Sequence, residues 1–268
     1  MIRSVEMELK YLLFEKKDHV AYITLNRPEK RNPINVDVAP ELMYCFDESD
    51  YDDDIRMVVI RGAGGNFCGG GDLGAMKYRI DNNLRGTRQA CRALGAATMR
   101  LRNIKKPTLA YIEGAIAGAG IALAMACDFS VIDEASTATF AFVNIGFIPD
   151  CGSSYFLNKA VGYVRATDLM MSGKRFTGKQ GAEWGMFTEA VPADKLEETV
   201  QKYIKKYSHG PTVSYANIKS LINHINFAEF SRINQLELEF QGECELTHDY
   251  PEAVNAFLEK RKPEFWGK

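Results

Sequence analysis

The chain has 268 residues, is 46% hydrophobic and 25% charged, and carries a formal net charge of -2 from 33 basic and 35 acidic side chains. That balance gives no electrostatic footprint for nucleic acid and no basic drive toward an anionic membrane. A chain of this length buries roughly 70–75% of its unfolded surface, so a core needs neither disulfide nor metal.

Tyr11–Glu15 and Val20–Leu25, separated by Lys16-Lys17-Asp18-His19, read as a β-hairpin. A helical pattern follows over Val36–Phe46, then a buried strand, Met57–Ile60, that stops at Gly62. Leu84–Ile104 reads as one helix, Thr108–Ile112 as a strand, and Gly118–Ala126 as a further helix. Phe129–Ile132 and Thr139–Phe142 complete the strands of this part. Short apolar strands alternating with helices predict a layered α/β core. After Asp150 the pattern turns helical: Ser153–Val161, Val164–Met171, Gly178–Trp184, Lys195–Tyr207, Thr212–Asn223, Phe227–Gln241 and Pro251–Lys260, with one strand at Thr188–Val191. Tyr207–Pro211 is the linker candidate, dividing an α/β core over 1–207 from a helical region over 208–268.

No apolar run reaches the ~20 residues of a membrane helix, and Met1–Glu6 carries no apolar signal core. The six cysteines (Cys45, Cys68, Cys91, Cys127, Cys151, Cys244) are scattered without a C-x-x-C pair. That spacing supports no metal site and points to a reducing, cytoplasmic setting. The four histidines are equally scattered, and none stands in a nucleophile motif.

Two segments concentrate glycine: Arg61–Leu73 and Glu113–Ala122. Each follows a predicted strand and leads into a predicted helix, where unpaired N–H groups stabilise anions and developing oxyanions. Gly69–Gly74 matches G-x-G-x-x-G, but the preceding strand ends nine residues earlier, near Ile60, and no acidic strand residue follows at the required offset. There is no G-K-[ST] either, so nucleotide-binding loops are set aside. Two separate donors aimed at one oxygen would instead make an oxyanion hole.

Leu25–Asn32, Phe67–Leu73, Glu113–Asp128 and Ile145–Gly152 resemble, in order and spacing, the four motifs of the crotonase (enoyl-CoA hydratase/isomerase) superfamily. The resemblance covers about residues 8–195, and the C-terminal helices resemble that family's trimerisation region more weakly. It implies repeated ββα turns followed by helices, an acyl-CoA thioester substrate, and a homotrimer or homohexamer. No cofactor beyond the CoA moiety of the substrate and no metal are implied. The thioester carbonyl would lie between the backbone N–H groups of Gly71 and Ala119. Lys30 and Arg31 match the region that meets the CoA phosphates, and with Cys68, Gly69, Gly70, Asp72, Leu73 and Gly118 they are the CoA-binding residues that the resemblance implies.

The family's hydratases place glutamates at two positions that here hold Ala122 and Phe142. Neither side chain can activate water, so hydration by two carboxylates is disfavoured. Asp150 remains. It could cap the following helix, but the resemblance to isomerases with a single Asp, on Asp150–Leu157, makes it the acid/base. Such a base needs an apolar wall to lift its pKa, and Phe142, Phe147 and Ile148 would supply one. Ala122, Phe142, Phe147 and Tyr155 are placed in the substrate pocket, Asp72 is expected to cap a helix, and Asp128 to anchor a turn. Glu113 is a weaker candidate for reaching the pocket, and a Cys151 nucleophile has no histidine near it in sequence. An enoyl-CoA isomerase is thus the expected function. The alternatives are a hydratase, or a thioester or C–C hydrolase, that places water with Asp150 on a group such as a cyclic acyl. An inactive acyl-CoA-binding protein is the third, and the intact glycine motifs argue against it.

Overall fold

The computed structural model describes residues 7–268, so Met1–Glu6 lie outside the described residues. The hairpin is present as β1 (Leu12–Lys17) and β2 (Val20–Leu25), paired antiparallel. Helix α1 (Val38–Tyr51) leads to β3 (Met57–Gly62), and α2 (Leu73–Asp81) and α3 (Thr87–Arg102) precede β4 (Thr108–Ile112). Then come β5 (Ala115–Ala117), α4 (Ala119–Ala126), β6 (Phe129–Asp133), β7 (Thr137–Thr139), α5 (Ser153–Ser172), β8 (Arg175–Thr177), α6 (Gly178–Glu183), β9 (Glu189–Val191) and α7 (Ala193–Ser208). The chain closes with α8 (Thr212–Asn226), α9 (Phe230–Cys244) and α10 (Asp249–Leu258).

Six strands form one sheet in the order β1-β2-β3-β4-β6-β9, parallel except for the hairpin. A second sheet holds β5-β7-β8. Strand side chains alternate between faces, and the alternation sorts the core. Val58, Ile60, Ala110, Ile112 and Ile132 join the large cluster under α1, α3 and α4. Their neighbours Met57, Val59, Leu109 and Val131 pack instead with Leu196, Val200 and Ile204 of α7. Both faces are covered, which is why β3 and β4 read as unbroken apolar runs.

The structure departs from the sequence expectation in three places. The strand expected at Thr139–Phe142 is shifted to Thr137–Thr139, and Phe142 opens a 3-10 turn over Val143–Ile145. Apolarity there reflects burial in a loop, with Phe140 fully enclosed. The helix expected over Leu84–Ile104 is shorter, Thr87–Arg102: α3 starts at Thr87, where Glu245 accepts from the Gly86 and Thr87 amides and the Thr87 hydroxyl. The two helices expected over 153–171 are present as the two arms of α5, separated by the non-helical Gly162 (φ 72, ψ 162). The short strands β5 and β8 gave too few residues to show a period.

The linker candidate lies between α7 and α8, and the helices beyond it do not stand apart. Helix α9 packs on α3 and α5, and α10 packs on α2 and the 3-10 turn. Phe230, Tyr250 and Val254 belong to the same apolar cluster as the strands. No helix among the described residues is long and apolar enough to cross a membrane.

Candidate active site

The two glycine segments are laced together. Phe67 N–H donates to Glu113 O, Cys68 N–H to Ala115 O and Ala117 N–H to Cys68 O, extending the pairing beyond the ends of β3 and β4. Gly120 is required by this contact, because a Cβ there would stand 2.6 Å from Cys68 Cβ. The Leu25–Asn32 segment is pinned to the first loop by Asn32, whose side-chain amide donates to Ala63 O (2.8 Å) and Asn66 O (2.7 Å). Lys30 and Arg31 are thereby held at the rim of a cavity of about 730 Å3, within the range of small-molecule sites.

Gly71 and Ala119 both line that cavity. Ala119 is the first residue of α4, so its amide is one of the four that an α-helix leaves unpaired. Neither amide has an acceptor within the chain among the described residues. Unpaired N–H groups at two places on one cavity wall are available to an acceptor oxygen bound there.

Asp150 lines the same cavity and is only 7% exposed. It does not cap α5. Cys151 (φ 56) and Gly152 (φ 80) both take left-handed backbone after it, and Gly152, which has no side chain to cap with, is the N-cap. Gly152 is a glycine for space as well as φ, since a Cβ would fall 2.3 Å from the Phe230 ring. The Asp150 carboxylate is asymmetric. Oδ2 accepts from the Cys91 thiol (2.9 Å) and from the Gln241 amide (2.9 Å), while Oδ1 accepts from no group among the described residues. Burial pushes its pKa above the usual carboxylate range, against the opposing pull of the Cys91 and Cys151 thiols and Gln241. No cation is among the groups that shift it.

The Asp150 loop is gripped by α9. Gln241 Oε1 accepts from Ile148 N–H (3.0 Å), and its amide nitrogen donates to Ile148 O (3.2 Å) as well as to Asp150. These partners fix the orientation of the amide, because the reverse flip would put like groups face to face. One turn earlier, Glu237 accepts from Gly152 N–H (2.7 Å) and from the Ser154 hydroxyl. Burial and the nearby Asp150 raise the Glu237 pKa to about 7, against those two hydrogen bonds.

Of the residues expected at the site, Lys30, Arg31, Gly69, Gly70, Gly71, Asp72, Leu73, Gly118, Ala119, Phe142, Phe147 and Asp150 line one cavity. Three do not. Cys68 is buried behind the first loop, with its sulfur accepting from Gly70 N–H. Ala122 faces the core from α4. Tyr155 turns away, donating to Asn226 O (2.8 Å) with its ring edge-on to Phe227 and Phe230. Ile148 and Glu113 are also absent from the lining. Asp72 caps α2 through Ala75 N–H and pairs with Arg27 at 2.7 Å, which together outweigh burial and hold its pKa down. Asp128 anchors its turn by pairing with Arg102 and Lys219. Sequence reasoning missed Gln241, Glu237 and Cys91. The available signal was the pair Glu237 and Gln241, four residues apart on the same helix face as Phe230, Asn234 and Leu238. Among the described residues, no group of three His, Cys, Asp or Glu could hold a metal ion.

The family model for enoyl-CoA hydratase/isomerase matches residues 15–268. The trans-2-decenoyl-[acyl-carrier-protein] isomerase of Streptococcus mutans is 32% identical over 263 residues, spanning 98% of this chain and 100% of that protein. The 1,2-epoxyphenylacetyl-CoA isomerase of Escherichia coli is 32% identical over 267 residues, spanning 97% and 100%. Among solved structures, an enoyl-CoA hydratase from Mycobacterium avium subsp. paratuberculosis superposes with a TM-score of 0.88 at 28% identity, covering 96% of this chain and 99% of the other. With its crotonase fold and a match over nearly its whole length, the chain belongs to the enoyl-CoA hydratase/isomerase family.

Proposed function

We propose that the protein is an enoyl-thioester isomerase that moves a double bond between carbons 3 and 2, with Asp150 as its acid/base. The observation that carries this is the carboxylate inventory of the cavity. Among the described residues, only Asp72 and Asp150 line it as acids, and Asp72 is committed to Arg27 and the start of α2. Where the hydratase pattern has glutamates, Ala122 is buried in the core and Phe142 walls the cavity. One available carboxylate suits a proton shuttle better than the activation of water by a pair.

In the proposed reaction the thioester oxygen accepts from Gly71 N–H and Ala119 N–H. Asp150 removes a proton from carbon 2 of the 3-enoyl group, and the electrons pass through the carbonyl to give a dienolate. The protonated Asp150 then returns the proton to carbon 4, leaving the 2-enoyl thioester. Each oxyanion donor contributes about 3–4 kcal/mol. Burial favours Asp150 as a base, because it raises the proton affinity of the carboxylate. Lys30 and Arg31 at the rim would meet the CoA phosphates. Family resemblance extends the proposal to a cytoplasmic homotrimer or homohexamer that needs no cofactor beyond the CoA of its substrate.

The test is incubation of 3-enoyl-CoA and 2-enoyl-CoA in heavy water, repeated with the acyl-carrier-protein thioesters. An isomeric product is expected, with deuterium at carbon 2 or 4 only to the extent that the Asp150 proton exchanges with solvent before it is returned, and the faster carrier identifies the natural thioester. A product heavier by one water, or free CoA, would replace the isomerase with a hydratase or hydrolase. Tight thioester binding without turnover of any of these would make it a binding protein.

A further inference from the structure

The two oxygens of a free carboxylate are equivalent, and a half-turn about Cβ–Cγ exchanges them. Those of Asp150 are not. Among the described residues, the two donors with hydrogen-bond geometry to it, the Cys91 thiol of α3 and the Gln241 amide of α9, both end on Oδ2. Gln241 is fully buried and braced by both backbone groups of Ile148, so its amide cannot follow the carboxylate around. We infer that Gln241, together with Cys91, is a positioning residue for Asp150: the two donors hold Oδ2 and leave Oδ1 as the one oxygen that carries the proton between carbons 2 and 4.

The inference rests on the isomerase reading above and adds to it a residue from the C-terminal helices. It explains how one carboxylate serves two carbons. An oxygen that stays in place above the plane of the dienolate reaches carbon 2 and carbon 4 in turn, whereas a rotating carboxylate would lose alignment between the two transfers. The same donors also favour the charged form and so oppose the burial that raises the pKa. The titratable groups facing Asp150 are Cys91 from α3, Cys151 in its own loop and Glu237 from α9, and Arg79 of α2 acts on Cys91.

The experiment is the pH dependence of kcat/KM for 3-enoyl-CoA isomerisation. In Gln241→Leu the acid limb should move up by about one to two pH units, the size of a hydrogen bond to a charged group. Loss should therefore be greatest at acid pH and smallest on the alkaline plateau. Cys91→Ala should move the limb in the same direction, and Cys91→Ser, which keeps a donor, should return it to the wild-type position. The cysteine pair keeps the test decisive if Gln241→Leu fails to fold. An equal loss at every pH with unmoved limbs in Gln241→Leu and Cys91→Ala would overturn the inference and leave both residues as packing. If Asp150→Asn turned over normally, the isomerase reading itself would fall, and the limb would belong to another group.

Discussion

The two halves of the site are built by opposite means. The Gly71 and Ala119 half uses backbone N–H groups fixed by loops that follow β3 and β4 directly. The Asp150 half is a side chain in a loop with two left-handed residues, held from outside by Gln241 and Glu237 of a helix about 90 residues further along. A donor made of backbone cannot titrate and is lost only by moving the chain. A base made of a side chain is tuned by every group that touches it. In the proposed reaction the first half would therefore set where the oxygen lies, and the second the pH at which the reaction runs.

The contrast can be broken from either side. Asp150→Asn keeps shape and burial but removes the base, and kcat should fall by ~10²–10⁴-fold. Isothermal titration with a non-reacting acyl-CoA analogue should still show binding, because the backbone donors are untouched. Gly120→Val attacks the other half, since its Cβ would press on Cys68 and force the two loops apart. Misaligning one oxyanion donor should cost ~10²–10³-fold in kcat, with the acid limb of the pH profile unmoved. A shifted limb in that variant would show that the halves are coupled.

The smallest effect concerns stability. Glu237 has its pKa raised from 4.5 to about 7 in the fold, chiefly by burial. A carboxyl that binds its proton more tightly when folded supports the native state most fully below its unfolded pKa, and that support is lost as pH rises through 7. Glu237→Gln removes the titration. The melting temperature of the variant minus that of the wild type should therefore climb between pH 4.5 and pH 7. A flat difference would mean that Glu237 stays ionised in the native protein.

Most of the backbone half was legible in the sequence. Glycine runs after strands carry their own geometry, and short, largely unbroken apolar runs matched β2, β3, β4 and β6 to within a residue or two. Asp150 was legible as the remaining acid, but its freedom from capping was not, because the left-handed turn at Cys151 and Gly152 is imposed by Phe230 and α9 packing against it. Tyr155 shows the limit from the other side. An aromatic residue five positions beyond Asp150 turns to Asn226 and the Phe227–Phe230 cluster because a helix carries successive residues around its axis. Gln241 and Cys91 reach Asp150 only through the packing of α9 on α3, a long-range contact that no local pattern encodes.

The grip of α9 on the Asp150 loop has a consequence for how the site can be watched. The Ile148 and Gly152 amide hydrogens are bonded to side chains of Gln241 and Glu237 rather than to a strand or helix ladder. Their protection against solvent exchange therefore records whether α9 is docked, independently of any turnover. If α9 lifts as a unit, these two amides should exchange together, and well before the β3–β4 core. Their common rate would then measure the free energy of assembling the base, separately from the free energy of folding the chain.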